Sequence, residues 1–247
     1  MKVYHIAYEP SYGSVDIHIW TKCTLDCRAC YTNWELYDFG LYDDALEDIK
    51  NRERQTPPDK FLSYDEVIAY LKPLEIKYAV FMGTEASLDP ELPRLAKELH
   101  EKWNSYNILL TNGMVMPNLD DIDQVIFSLK AYSEDIFKEY TGRSNKTALK
   151  NFAEIAKTGK NLHAEVVYIP ELVEADEIER VAEFVAKIDP KISFRIDAYF
   201  PVPECPWRAA NNEEVEIAAE KARKHMDNVT ILTLDMKRIG DKAVRVY

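Results

Sequence analysis

Three of the four cysteines in the chain fall within one stretch, IWTKCTLDCRACYT, at Cys23, Cys27 and Cys30. The spacing is C-x3-C-x2-C, and a loop of that length can turn three thiolates toward one centre. Thiolates are soft ligands that select zinc or iron–sulfur centres. A structural zinc site takes four ligands, so a zinc reading needs Cys205 or one of the five histidines as the fourth. An iron–sulfur cluster usually takes four cysteines, and three would leave one iron open to a ligand from outside the protein. There is no signal-peptide pattern and no apolar run of spanning length. The expectation is a cytoplasmic protein with no membrane segment, in which reduced thiols serve metal or redox chemistry rather than disulfides.

Those cysteines need a scaffold, and the rest of the sequence describes one. β-like runs at 15–21, 76–83, 106–112, 123–130, 163–169 and 192–200 alternate with helical patterns at 63–74, 90–103, 145–159 and 176–188. Ser63 with Glu66 three residues on reads as a capping box, and Gly159 as a left-handed helix terminator. Alternation of this kind predicts parallel strands joined by crossover helices. Six units make an α/β partial (β/α)6 barrel. Residues 2–8 and 242–247 add short strands that pair at an edge. The reading is one domain over 1–247, with the core barrel at about 15–200, an insert at 31–62 and a C-terminal extension at 201–247. The insert is expected to form a helix at about 41–54 over one barrel end.

In parallel α/β architectures the chemistry sits at the C-terminal strand ends. The cysteine loop follows the first strand of the series. Other strand ends bring Thr84 and Glu85 in FMGTEAS, Asn112 in LLTNG, and Ser128 and Lys130 in SLK. By themselves these admit bland readings. Glu85 suits a helix N-terminus, Asn112–Gly113 a turn, and Lys130 a side chain snorkelling from a strand end. Alternation turns Glu165, Arg195 and Asp197 inward, as an ion-paired group or as substrate contacts.

With these residues in place the chain resembles the radical S-adenosylmethionine (SAM) enzymes, whose signature is this loop after the first barrel strand. The resemblance implies a 4Fe-4S cluster on Cys23, Cys27 and Cys30, with SAM on the fourth iron. It also implies reductive cleavage of SAM and hydrogen abstraction from a substrate. Gly83, Thr84, Glu85 and Ala86 stand where the family has a Gly-Gly-Glu-Pro-like segment that meets the SAM amino group. Thr84 and Ala86 depart from it, and Glu85 keeps the acceptor. Asn112 becomes a candidate SAM contact.

The run from Val125 to Leu172 is similar to the glycyl-radical enzyme activating enzymes, exemplified by the pyruvate formate-lyase activase. Ser128-Leu129-Lys130 stands for an Asp-Leu-Lys, Thr141-Gly142 matches a Thr-Gly, and Ile169-Pro170-Glu171 approximates an Ile-Pro-Gly. This implies that Lys130 binds the SAM carboxylate, with Ser128 beside it. It implies a ferredoxin- or flavodoxin-type electron donor, and a glycyl-radical enzyme as substrate. A small molecule or a peptide is the alternative substrate. A non-catalytic zinc- or iron–sulfur-binding structural or sensing protein is the alternative of another class. The net charge of −12 and the aromatic 31–62 segment, whose Asp38, Asp43 and Asp44 make an acidic mouth, disfavour nucleic acid as a partner.

Overall fold

The computed structural model describes residues 1–34, 38–41, 57–237 and 239–247. The helix expected at about 41–54 lies almost wholly outside the described residues. Asp43 and Asp44 do too.

Among the described residues nine strands form one sheet, in the order β8-β7-β6-β5-β4-β3-β2-β1-β9. The six expected strands appear as β2 (Ser14–Ile19), β3 (Tyr78–Gly83), β4 (Tyr106–Thr111), β5 (Gln124–Ser128), β6 (Asn161–Tyr168) and β7 (Ser193–Ala198). Each is parallel to the next. A further parallel strand, β8 (Val229–Leu232), extends the series beyond the six expected. The terminal strands pair at the opposite edge, as expected. There β1 (Val3–Glu9) runs antiparallel to β2, and β9 (Val244–Arg245) antiparallel to β1.

Six helices with described side chains join these strands: α1 (Tyr64–Leu71), α2 (Leu92–Trp103), α3 (Glu134–Thr141), α4 (Lys146–Ala156), α5 (Ala175–Ala186) and α6 (Asn212–Ala222). The capping box at Ser63 and Glu66 is present at the start of α1, and Gly159 has a left-handed backbone. Sequence periodicity missed α3, which spans eight residues, and α6. The buried positions of α6 are Val215, Ala218, Ala219 and Ala222. They follow helical spacing, but the alanines carry little hydrophobic contrast.

The period of two along each strand separates two faces. One face carries Phe81, Leu109, Phe127, Val166, Phe194 and Ile196, all fully buried in a single core shared with the helices. Each such side chain contributes about 1.5–3 kcal/mol of burial. The other, concave face carries half-buried positions, among them Asp16, Met82, Leu110, Ser128, Glu165, Arg195 and Asp197. Polar residues survive there because helices do not cover that side.

Candidate functional site

After Ile19 the chain leaves the sheet and forms the cysteine loop. Its stem is tied to the end of β3. Thr84 N–H donates to the Ile19 carbonyl at 3.1 Å. The Thr84 hydroxyl accepts from Thr21 N–H and donates to the Thr21 carbonyl, both at 2.8 Å. The Thr21 hydroxyl donates to the Glu85 carbonyl at 2.6 Å. Gly83 makes this approach possible. It has φ +112°, and a Cβ there would lie 2.4 Å from the Ile19 carbonyl oxygen.

The tip of the loop is held by the end of α3. Asp26 N–H and Arg28 N–H donate to the Thr141 and Tyr140 carbonyls, each at 3.0 Å. Carbonyls in a helix's last turn lack intrahelical partners, so they are free to accept these loop amides. Gly142 ends the helix with φ +73°. The other end of α3 is anchored by buried Glu177, which accepts from Tyr132 N–H and Ser133 N–H at 2.7 Å. Arg28 also stacks over the Trp207 ring at 4.8 Å. The Thr-Gly match marked this place in the sequence, but neither the carbonyl clamp nor the Trp207 stack was readable from it.

All three thiols are half-buried and unpaired in disulfides. Asn112 Nδ2 donates to Cys23 Sγ at 3.4 Å, so Asn112 touches the cysteine loop. Thr32 Oγ1 lies 2.9 Å from Cys30 Sγ. Burial pushes the Cys27 thiol up to about 12, while the Lys130 ammonium pulls it down and Cys30 and Cys23 push it further up. Burial also raises Cys23. The three thiols and Lys130 therefore share one electrostatic field. A zinc ion would draw its sulfurs to about 3.8 Å apart. Among the described residues, the side-chain trio whose ligand atoms all lie within 4.8 Å of one another is His5, His18 and Asp38, and not these cysteines. Three soft thiolate donors suit an iron–sulfur centre.

Glu85 is buried, and its carboxylate has three donors. Thr111 Oγ1 donates at 2.8 Å and Asn112 N–H at 2.9 Å, with Ser87 Oγ the third. Thr84 serves the loop stem. Lys130 Nζ donates to Ser128 Oγ at 2.6 Å and stands 5.9 Å from the Tyr140 ring centre. Ser128 Oγ donates in turn to Glu165 at 3.3 Å. Register sets Glu165 beside Arg195 on neighbouring strands. Arg195 pairs with Glu165 and with Asp197, the latter through Nε at 2.8 Å. Burial, and then the Glu165 charge, push Asp197 up to about 7, with Arg195 partly offsetting them. A polar chain thus runs from the cysteine loop across the concave face. On the loop's other side a cleft of about 400 Å³ is lined by Lys22, Cys23, Thr24, Met114 and Arg143.

Glu171 has φ +69°. The family pattern has glycine here, and the backbone takes the conformation glycine favours. Trp34 and Val202 form a small second core, with Tyr31, Phe200 and Cys205 against it. Cys205 is thus packed beside the 31–34 segment. Asp38, read as part of an acidic mouth, is instead buried against His18.

Comparison with known proteins bears on the family. A sequence profile of the Radical SAM superfamily matches residues 17–185. A Methanocaldococcus jannaschii protein described as a "putative glycyl-radical enzyme activating enzyme" is 31% identical over 192 residues, covering 72% of this chain and 73% of that one. Among solved structures, a domain of pyruvate-formate lyase-activating enzyme from Bacteroides vulgatus superposes with a TM-score of 0.53 at 17% identity, covering 62% of this chain and 96% of that one. A radical SAM methyltransferase from Sphaerobacter thermophilus superposes with a TM-score of 0.63 at 16% identity, covering 93% of this chain and 70% of that one. At such identities the structures share a fold and nothing finer. The cysteine loop at the strand ends, the matched profile and the M. jannaschii relative together place this chain in the radical SAM superfamily.

Proposed function

We propose that the protein is a radical SAM enzyme that activates a glycyl-radical protein, with a 4Fe-4S cluster held by Cys23, Cys27 and Cys30. The observation that carries this is the grouping of three half-buried thiols with Lys130 at the ends of parallel strands. The similarity to the M. jannaschii protein supports the activase reading. When bound and reduced, such a cluster supplies the electron that splits SAM. A ferredoxin- or flavodoxin-type donor would provide that electron.

The chain's own residues do the positioning. Lys130 holds the SAM carboxylate as a point charge, and Ser128 fixes the ammonium through the 2.6 Å bond. Glu85 presents its remaining lone pair to the SAM amino group. Asn112 orients Cys23 through its amide. The Glu165–Arg195–Asp197 group faces the substrate.

Anaerobic purification tests the cluster. Iron and sulfide analysis should give about four of each per chain, with a visible charge-transfer band. Replacing Cys23, Cys27 or Cys30 by Ala should abolish the band, while Cys205→Ala keeps it. One tightly bound zinc with no iron would overturn the proposal.

A further inference from the structure

A second group of ligand-type side chains lies on the antiparallel edge of the sheet. His5 on β1 and His18 on β2 are register partners. Their ring centroids stand 5.0 Å apart at 66°. Asp38, in the turn before Leu41, points its Oδ2 at His18 Nε2 from 3.1 Å. One ligand atom from each of the three lies within 4.8 Å of the others. The residues are 1%, 1% and 5% exposed.

Two ring nitrogens in this pocket, His5 Nε2 and His18 Nδ1, are buried without any hydrogen-bond partner. Buried polar atoms are rarely left so. The His18–Asp38 contact alone occupies His18 Nε2 and leaves His5 Nε2 with nothing.

We propose that His5, His18 and Asp38 bind a divalent transition ion, zinc by preference, with an enclosed water completing the four ligands, at a site separate from the cysteine loop. Two imidazoles and one carboxylate, with a water in the fourth position, are a known zinc donor set. Ligands about 2.0–2.1 Å from a tetrahedral zinc lie roughly 3.3 Å apart, close to the 3.1 Å already between His18 and Asp38. The carboxylate is oriented by a further bond, since Gly40 N–H donates to Asp38 Oδ1 at 2.9 Å. Such outer contacts are typical of ligating carboxylates.

Burial of all three ligands leaves no approach for a substrate, so the ion's role is to cross-link. It joins β1, β2 and the Asp38–Leu41 turn, which also meets the C-terminal segment through Ala243 N–H on the Gly40 carbonyl at 3.0 Å. This turn follows the cysteine loop in the chain. An ion there would fix the returning segment against the barrel edge.

The test uses the full-length chain with Cys23, Cys27 and Cys30 all changed to Ala, which removes competing thiolates. Equilibrated with Zn²⁺ or Co²⁺ and then desalted, it should retain about one equivalent, as two imidazoles and a carboxylate bind one ion. The cobalt spectrum should show d–d bands and no sulfur charge-transfer band. Zinc should raise the melting temperature of this protein. His5→Gln or Asp38→Asn in the same background should lose both retention and the rise, with unchanged circular dichroism in metal-free buffer.

Elemental analysis of the cluster-loaded parent gives an independent reading should the triple variant fold poorly. Zinc should accompany the iron there, and His5→Gln should lose zinc alone. Absence of zinc or cobalt retention, or retention unchanged by both variants, overturns the proposal.

Discussion

At Glu85 one buried carboxylate is asked to do two things. It braces the end of β4 through Thr111 and Asn112, and in the proposed function it also meets the SAM amino group. Two substitutions separate these roles. In Glu85→Gln the amide oxygen can still accept from Asn112 N–H, and its NH₂ can donate to the Ser87 and Thr111 hydroxyls, which rotate to accept. Stability should therefore change by less than about 1 kcal/mol, read by urea unfolding. The negative charge is gone, so SAM affinity should fall by about 1.5–3 kcal/mol, read by equilibrium dialysis. Glu85→Ala should lose that affinity and about 1–3 kcal/mol of stability as well, because the Asn112 amide is stranded. SAM binding equal to the parent's in the Gln variant would leave Glu85 as a brace only. Glu85 stood out in the sequence because of the segment it sits in. Ser87 and Thr111 did not, since only the β3–β4 pairing brings Thr111 to it.

The elements that hold the cysteine loop differ in how readable they were. Strands β2 to β7 announce themselves by period-two apolar runs, and their ends located every residue assigned to the site. Helix α3 is too short for its periodicity to stand out, and its use of terminal carbonyls to hold Asp26 and Arg28 is backbone chemistry that side chains do not encode. Strand β8 has four residues, VTIL, with an alternating half-buried and exposed pattern, and is too short a run to stand out. Gly83 tests the coupling between scaffold and loop. In Gly83→Ala the new methyl would meet the Ile19 carbonyl and amide on β2, at 2.4 and 2.6 Å, at a positive φ. Strain of this kind costs about 1–3 kcal/mol even without the clash. The variant should lose at least ~2 kcal/mol of stability in urea. After anaerobic reconstitution it should also hold less iron than the parent, because the loop stem starts at that contact. Full iron content together with parental stability would show that β2 and β3 yield there without disturbing the loop.

For the molecule as a whole, charge bears on what can reach the site. The chain carries −12, but of the acidic mouth read from the 31–62 segment Asp38 is buried against His18, and Asp43 and Asp44 lie outside the described residues. Acidity is found instead on the strand face that carries Asp16, Glu165 and Asp197, the last two paired with Arg195. Arg195 is already committed to two carboxylates, which leaves little free positive charge for a phosphate. Lys130 is bonded to Ser128 and assigned to the SAM carboxylate. Asp197, with its proton affinity raised to about 7 by burial, then by Glu165, is part-protonated near neutrality, so the face ranges from neutral to mildly anionic. A neutral or basic protein loop suits it better than a polyanion. With reductant and SAM, a basic glycine-containing peptide should therefore speed 5′-deoxyadenosine formation at low salt, and transfer RNA or duplex DNA should not. The peptide's effect should shrink as salt rises toward 1 M, where the screening length falls to about 3 Å. Stimulation by RNA with none from peptide would reverse the electrostatic reading of this face.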